Sequence, residues 1–314
     1  MTDLIERETR ARASEKPSGR GIVAGYDETP ESELALRWAA ERALALGRRL
    51  TVVYAVDPLV PLRARSDRSA ASPQAVHRAV REVAGRGAEL VRHAHPTIDV
   101  RSIGVVGPPS AELVAMSEDA ELVVVGRRRS ARSGANLGSI SFALGAHSRC
   151  PVVVVQGDGH ATIGPEHPVV VGVDTSRSAR RAVSFAAGVA AASDADLVIV
   201  STWTPAEMEP WMSRLWPLGQ ADATGGVADR GRAEDCVAEA LAQVRRTHPH
   251  VRASTRTLRA EADQGLLTTA AGAGLLVVGS RGRGGFVGLL LGSVSRAVLR
   301  LADLPVAVVR NGSL

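Results

Sequence analysis

Residues 279–295 read Gly-Ser-Arg-Gly-Arg-Gly-Gly-Phe-Val-Gly-Leu-Leu-Leu-Gly-Ser-Val-Ser, directly after an apolar run from Leu275 to Val278. This order predicts a buried strand, a glycine loop and the start of a helix. Such a loop can bring backbone N–H groups together at a helix N-terminus, where they attract anionic oxygens. We therefore expect the carboxyl end of a parallel strand here, followed by a phosphate-binding loop.

Two well-known phosphate-binding loops do not fit this stretch. A P-loop requires a lysine after its last glycine, and Lys16 is the only lysine in the chain. The dinucleotide-binding pattern G-x-G-x-x-G accommodates Gly282 and Gly284 but meets Val287 at its third glycine position. A mononucleotide site is the remaining interpretation, and arginines 281 and 283 could add charge-assisted contacts to phosphate.

The chain contains the same sequence frame twice. Residues 21–25 and Asp27 are copied by residues 169–172 and Asp174, with the two aspartates 147 positions apart. In each half, short apolar strands alternate with amphipathic helices, which is typical of parallel sheets buried on both faces. We predict two tandem doubly wound α/β domains with five-stranded parallel sheets. The predicted segments are a disordered arm at 1–19, the first domain at 20–157, a linker at 158–166 and the second domain at 167–314.

The second half carries an insertion that the first half lacks. We place about seven inserted residues mostly in the loop at 205–231, ahead of a helix from about Asp229 to Thr247. This loop suits a patch for a partner, a lid over the base of a bound nucleotide, or a loop that packs on its own domain. This interpretation rests on its large side chains, Met208, Trp211, Met212 and Trp216.

Composition disfavours several classes of protein. No run of 18 uncharged apolar residues occurs, so no membrane span is expected. Cys150 and Cys236 have no metal-binding or CxxC spacing and no signal peptide precedes them, so a reduced, cytoplasmic setting fits best. The net charge of +5 is carried almost wholly by arginine. Few aromatic residues lie among the arginines, which disfavours nucleic acid as a partner.

Metal chemistry is also disfavoured. The pairs His93–His95 and His248–His250 fall in equivalent positions before the third strand of each half. Asp99 lies near the first pair, but nothing matching it completes a ligand set beside the second. We interpret these histidines as surface residues and predict no metal site.

Over about residues 20–310, the chain resembles the universal stress protein family in its tandem two-domain form. The most specific feature is the family's G-2x-G-9x-G-[ST] loop, which is met in full by Gly279, Gly282, Gly292 and Ser293. The Val-Gly-Val-Asp segment that ends at Asp174 agrees as well. The resemblance implies a Rossmann-like, adenine nucleotide alpha hydrolase-like fold, and family members with the full loop bind ATP.

Carried over residue by residue, the resemblance implies an ATP site in the second half, with or without Mg²⁺. Asp174 would contact the ribose or adenine, although an aspartate here also suits a helix cap. Trp203 would stand beside the base, where its indole either stacks on adenine or fills the pocket. The residues implied at this site are Asp174, Trp203, Gly279, Arg281, Gly282, Gly292, Ser293, Val294 and Ser295.

The first half departs from the family loop. Arg129 stands where the second glycine should be, and eight residues rather than nine separate it from Gly138. A side chain there obstructs the close backbone approach that glycine permits. We therefore predict one ATP per chain and only a weaker site in the first half. Its residues would be Asp27, Val56, Gly126, Gly138, Ser139 and Ser141.

No Ser-His-Asp or Cys-His arrangement stands out, and no carboxylate pair lies near the glycine loop in sequence. We therefore predict a protein that binds ATP rather than an enzyme, with weak ATP hydrolysis as its upper limit. The resemblance implies a nucleotide-responsive regulator in stress adaptation with an unidentified protein partner. The alternatives are a slow ATPase and a nucleotide-free protein-interaction module.

Internal pairing of the two halves is also expected. The fifth strands, residues 152–155 and 306–309, are rich in valine, and exposed apolar edges of this kind promote aggregation. Family members commonly pair, so the resemblance implies that these strands bury each other in an internal pseudo-dimer. Two chains could pair further as a homodimer.

Overall fold

The computed structural model describes residues 21–57, 72–127, 138–157, 162–204, 221–282 and 290–311, and the side chains of residues 221–228 are not described. Several sequence-based predictions fall outside these ranges and stay predictions. They concern the arm at 1–19, Arg129, Arg283 and the insertion residues Met208, Trp211, Met212 and Trp216.

Ten strands and eight helices are formed by the described residues, and they alternate regularly within each half. The strands are β1 Ile22–Gly25, β2 Leu50–Val56, β3 Val100–Val106, β4 Leu122–Gly126, β5 Val152–Val155, β6 Val169–Gly172, β7 Leu197–Trp203, β8 Ala253–Arg259, β9 Leu275–Gly279 and β10 Val306–Val309. The helices are α1 Pro30–Leu46, α2 Pro73–Ala94, α3 Pro109–Met116, α4 Ser139–His147, α5 Arg177–Ala192, α6 Ala221–Thr247, α7 Ala262–Thr269 and α8 Ser293–Leu301.

The strands of both halves form one sheet in the order β3-β2-β1-β4-β5-β10-β9-β6-β7-β8. Pairing within each half is parallel, which confirms the predicted doubly wound α/β class. The halves join through β5 and β10, which run antiparallel with Val153 opposite Ala307. The two predicted five-stranded sheets are therefore continuous, because the valine-rich fifth strands complete each other's edge.

The sheet is buried on both faces by helices. Helices α1, α2, α5 and α6 supply the small residues of one core layer, which includes Val153 and Ala307 of the two joining strands. Helices α3, α4, α7 and α8 cover the opposite face through Leu113, Leu144 and Leu299. Since only 3% of the residues are aromatic, Val, Leu, Ile and Ala fill almost the whole interior.

The loop that carries the insertion in the second half is shorter than the predicted range of 205–231. Helix α6 begins at Ala221 instead of Asp229, so residues 221–228 are helical and not part of the loop. The helical pattern of the sequence does not predict residues 221–228 as helix, because Gly225 and Gly226 interrupt it. Glycine disfavours a helix interior by about 1 kcal/mol per residue. Among the helices that the structure describes, none has both the length and the apolar run needed to cross a membrane.

Candidate functional site

A cavity of about 700 Å³ opens at the carboxyl ends of β6, β7 and β9. Strand order reverses between β6 and β9, and ligands of doubly wound sheets bind at such a point. All nine residues predicted for the second-half site contribute to its wall, from Asp174 and Trp203 to the glycine loop and the start of α8. The carboxyl ends of the strands thus bring together residues that lie up to 121 positions apart in the sequence.

The glycine loop is closed at its base by hydrogen bonds to Ser280. The Ser280 carbonyl accepts the Gly292 N–H at 2.8 Å, and the Ser280 N–H donates to Val309 of β10 at 2.8 Å. The hydroxyl of Ser295 lies 3.1 Å from the Ser280 carbonyl oxygen and 3.0 Å from that of Gly292. The Ser295 side chain is buried, so in this structure its hydroxyl stabilises the loop.

Two serines at the start of α5 also hold this loop, and the sequence had not identified them as site residues. The hydroxyl of Ser178 donates to the Arg281 carbonyl, and the hydroxyl of Ser176 donates to the same oxygen at 3.2 Å. The carbonyl of Arg281 is thereby turned toward α5. Ser178 could have been predicted as a site residue from its position, because it lies four residues after Asp174 on the first turn of the helix.

At two of the loop glycines, a side chain would require a neighbouring group to move. A Cβ atom at Gly279 would lie 2.7 Å from the Ser178 Oγ and 3.1 Å from the Ala179 backbone nitrogen. A Cβ atom at Gly282 would lie 2.8 Å from Oδ2 of Asp174. The spacing of the motif therefore has a steric cause, since the loop passes against α5 and the Asp174 carboxylate.

The start of α8 is suited to an anion. Its N-cap is Gly292, which has no side chain to accept the first N–H groups of the helix. The next three residues, Ser293, Val294 and Ser295, line the cavity. A helix N-terminus carries partial positive charge, and Arg281 and Arg296 on either side of the loop add two exposed guanidinium groups. These donors fit the oxygens of a phosphate chain.

The opposite end of the cavity offers a flat apolar surface. Trp203 is half-buried at the end of β7, and the guanidinium carbon of Arg259 lies 5.8 Å from its ring centroid. The Trp203 carbonyl accepts the Ala260 N–H at 3.1 Å, which ties the end of β7 to the chain beyond β8. The indole forms part of the wall and leaves the cavity open, so space for a ligand remains beside it.

Asp174 is not the helix cap that its residue type suggested. The N-cap of α5 is Ser176, whose hydroxyl accepts the Ala179 N–H at 3.1 Å. Asp174 accepts the Ser176 N–H through Oδ1 at 2.9 Å, which makes a turn before the helix. Its second carboxylate oxygen lies beside Gly282, so Asp174 is held in place at the edge of the glycine loop.

The wall of the cavity contains further charged residues, which follow β8, the third strand of the second half, or lie on α6, the helix after the insertion. Glu261 follows β8, and Asp229 forms an ion pair with Arg232 on α6. The sequence predictions drew on strands one, two and four and therefore missed the end of the third strand. Asp229 and Arg232 follow the insertion in a helix, where no spacing rule connects them to the glycine loop.

The first half reproduces the frame of the site. The carboxylate of Asp27 accepts the N–H of Thr29, which is the N-cap of α1, at 3.3 Å. A Cβ atom at Gly126 would collide with the Glu31 carbonyl. The other predicted residues occupy equivalent positions: Val56 ends β2, Gly138 is the N-cap of α4, Ser139 begins α4 and Ser141 is buried. Residues 128–137 between them lie outside the described part of the chain.

One described position distinguishes the two loops. Arg127 follows Gly126 as Ser280 follows Gly279. Its N–H donates to the Val155 carbonyl at 2.9 Å, as the Ser280 N–H donates to the Val309 carbonyl. Its guanidinium crosses to the second half and donates to the carbonyl oxygens of Arg300 at 2.6 Å and Leu299 at 3.3 Å. These carbonyls lie in the last turn of α8, so a residue of the first loop caps the helix whose other end is the candidate anion site.

Within the described ranges, no three His, Cys, Asp or Glu side chains are grouped so that they could hold a metal ion. The cysteines Cys150 and Cys236 are both buried and form no disulfide.

Comparison with known proteins matches the universal stress protein family to residues 20–156 and again to residues 166–310. A universal stress protein of Mycobacterium tuberculosis strain H37Rv is 34% identical over 313 residues, covering 94% of this chain and 97% of the relative. A universal stress protein of Mycolicibacterium smegmatis is 32% identical over 302 residues, covering 92% of this chain and 97% of the relative. The crystal structure of a universal stress protein from Archaeoglobus fulgidus shares the fold, with a TM-score of 0.66 at 20% identity, over 93% of this chain and 98% of that chain.

Proposed function

The chain belongs to the universal stress protein family, and from this premise we propose that it binds ATP in its second half and acts as a nucleotide-responsive regulator in stress adaptation. The observation that carries the proposal is the glycine loop. A side chain at Gly279 or Gly282 would displace Ser178 or Asp174, and the loop ends at a helix start without a side-chain cap. A phosphate chain is the ligand to which such a cradle is suited.

The cavity supports a nucleotide in one orientation. The phosphates would lie at the start of α8 between Arg281 and Arg296, and the base would lie toward Trp203. Asp174, whose carboxylate lies at the edge of the glycine loop, would contact a ribose hydroxyl or Mg²⁺ carried by the phosphates. A volume of about 700 Å³ is within the range of pockets that enclose ligands of this size.

We propose binding with slow turnover at most. Of the three carboxylates in the described wall, Asp229 is paired with Arg232, and Oδ1 of Asp174 accepts the Ser176 N–H. The third, Glu261, is exposed and forms no side-chain cap hydrogen bond with α7. Catalysis of phosphoryl transfer requires a positioned group that orients the attacking water. The regulator would act in the cytoplasm on an unidentified protein partner, alone or as a homodimer.

The decisive experiment is to purify the chain, denature it and identify the released nucleotide by mass, with its stoichiometry. We expect one ATP per chain. Two would contradict the predicted asymmetry of the halves, and failure to bind ATP in equilibrium dialysis would overturn the proposal in favour of a nucleotide-free interaction module. A turnover assay on the same preparation separates a binder from a slow ATPase.

Arg127 belongs to the first half, but replacing it with alanine should weaken ATP binding at the site in the second half. The change removes a cation from the C-terminus of α8, and such contacts stabilise by about 1 kcal/mol. We expect a lower thermal midpoint and an affinity for ATP reduced about threefold, since α8 is held less firmly. Arg101→Ala on the edge strand β3 is the matched control. An Arg127 variant that matches this control in both measurements would contradict the prediction.

A further inference from the structure

A second cleft, of about 730 Å³, lies between the two halves. Its walls are the end of α1 and the amino ends of β1, β4 and β5 from the first half, with α5 and the carboxyl end of β10 from the second. Among the described residues, it shares no lining residue with the glycine-loop cavity. The proposed nucleotide function leaves this cleft unexplained.

The cleft carries an excess of positive charge. Glu118 and Glu121 are the acidic residues in its described wall. Glu121 is engaged by Arg48 at 2.9 Å, and Arg149 comes only within 3.9 Å of Glu118. Five arginines line the same cleft: Arg42, Arg48, Arg149, Arg181 and Arg310.

Arg42 is the most deeply buried of these arginines, with only 4% of its surface exposed. Its terminal nitrogens donate to the Ser193 hydroxyl at 2.9 and 3.0 Å, while its Nε has no hydrogen-bond partner among the residues described. Burial lowers the pKa of this guanidinium. The charge of Glu41, the preceding residue, opposes this shift, but no described carboxylate lies within ion-pair distance of Arg42. A buried cation without a close ion pair is unfavourable, so this wall favours an anion from outside.

Arg310 extends the same charge across the seam. It is half-buried at the end of β10 and donates to the Ser148 carbonyl at 3.1 Å. Burial, followed by the charges of Arg281 and Arg149, lowers the pKa of Arg310. No carboxylate lies within ion-pair distance of Arg310 in the described ranges. Arg149 and Arg310 therefore lie near each other at the seam of β5 and β10, and their like charges repel each other.

The rest of the wall is apolar. Phe185 of α5 is half-buried, and Leu46 at the end of α1 is 38% exposed although it is a large aliphatic residue. Val189 and Pro151 complete this surface. A bare inorganic anion would leave the apolar part of the cleft in contact with water, whereas a ligand with an apolar body would cover it.

We propose that this cleft binds a small amphipathic carboxylate. Its carboxylate group is held by the guanidinium groups of Arg149 and Arg310, with Arg42 adding charge behind them, and its apolar body lies on Leu46 and Phe185. Guanidinium groups bind carboxylates in a bidentate geometry, which suits the pair of partly exposed arginines. An acyl chain of about eight carbons fits within a cleft of this size and is long enough to cover Leu46 or Phe185.

Isothermal titration calorimetry with octanoate below its micelle concentration tests the proposal. With saturating ATP present, we expect one octanoate per chain, and octanol or inorganic phosphate to bind at least about tenfold more weakly. The double variant Arg149→Gln/Arg310→Gln should reduce octanoate affinity at least about tenfold, and Leu46→Ser about threefold. Arg101→Gln removes the same charge on the exposed edge strand β3 and should leave the affinity unchanged.

Each of several results would overturn the proposal: no octanoate binding, equal binding of octanol, or phosphate binding as tight as octanoate. Unchanged octanoate affinity in the double variant would also overturn it. Circular dichroism of each variant separates lost binding from lost folding. Octanoate binding that persists in Gly282→Arg would separate this cleft from the nucleotide site, so the two proposals can fail independently.

Discussion

Replacing Gly282 with arginine should lower the affinity for ATP at least about 100-fold while the chain remains folded. The first half carries arginine at the equivalent position of its own loop, at residue 129. In any residue larger than glycine at position 282, the Cβ atom alone would lie 2.8 Å from Oδ2 of Asp174. Either the carboxylate or the loop must move, and both belong to the proposed site.

The size of this effect follows from what the displaced groups do. The carbonyl of Arg281, directly before Gly282, is held by Ser176 and Ser178. A shift at residue 282 therefore disturbs the contact between loop and α5 as well as the approach of the phosphates. Loss of a few charge-assisted hydrogen bonds of this kind accounts for at least about 100-fold in affinity.

The matched control is Gly85→Arg, which adds the same charge in helix α2 of the first half. A Cβ atom at Gly85 meets nothing within 4 Å. Both variants are compared with the native chain by calorimetric titration with ATP and by thermal unfolding. Gly282→Ala should fall between them. If Gly282→Arg bound ATP within about threefold of the native chain, the glycine loop would not be the phosphate site.

Most of the architecture could be predicted from local patterns. Valine runs such as residues 152–155 mark strands that are buried on both faces, and the capping residues Thr29 and Ser176 stand where the helices begin. The repeated frame predicted the same doubly wound, five-stranded domain in each half. The grouping of the predicted residues around one cavity followed as well, because residues directly after parallel strands meet at one edge of the sheet.

The features that were missed depend on contacts across long distances in the chain. Arg127 reaches the carbonyl of Arg300, 173 positions away, and no local pattern predicts the direction of its side chain. The role of Ser178 depends on the packing of α5 against the loop. The first turns of α6 were concealed by Gly225 and Gly226, whose low helix propensity is overcome by their context.

Placing an aspartate at Val153 should destabilise both halves of the chain together. Val153 is completely buried in β5 and pairs with Ala307 of β10 across the seam. Both residues belong to one core layer, which extends over the two halves. A carboxylate without a partner in such a position disfavours folding by about 3–5 kcal/mol, measurable as a lower urea midpoint.

Hydrogen exchange distinguishes one continuous sheet from two adjacent ones. In Val153→Asp, the amides of β10 should lose protection together with those of β5, because the two strands share their hydrogen bonds. Thr255→Asp on the exposed edge strand β8 adds the same charge and should leave β10 protected. Val153→Ala, which removes buried methyl groups without adding charge, should give a smaller loss of about 2 kcal/mol. If β10 kept its protection in Val153→Asp while β5 lost it, the halves would fold as independent sheets, and the seam would contribute little to either.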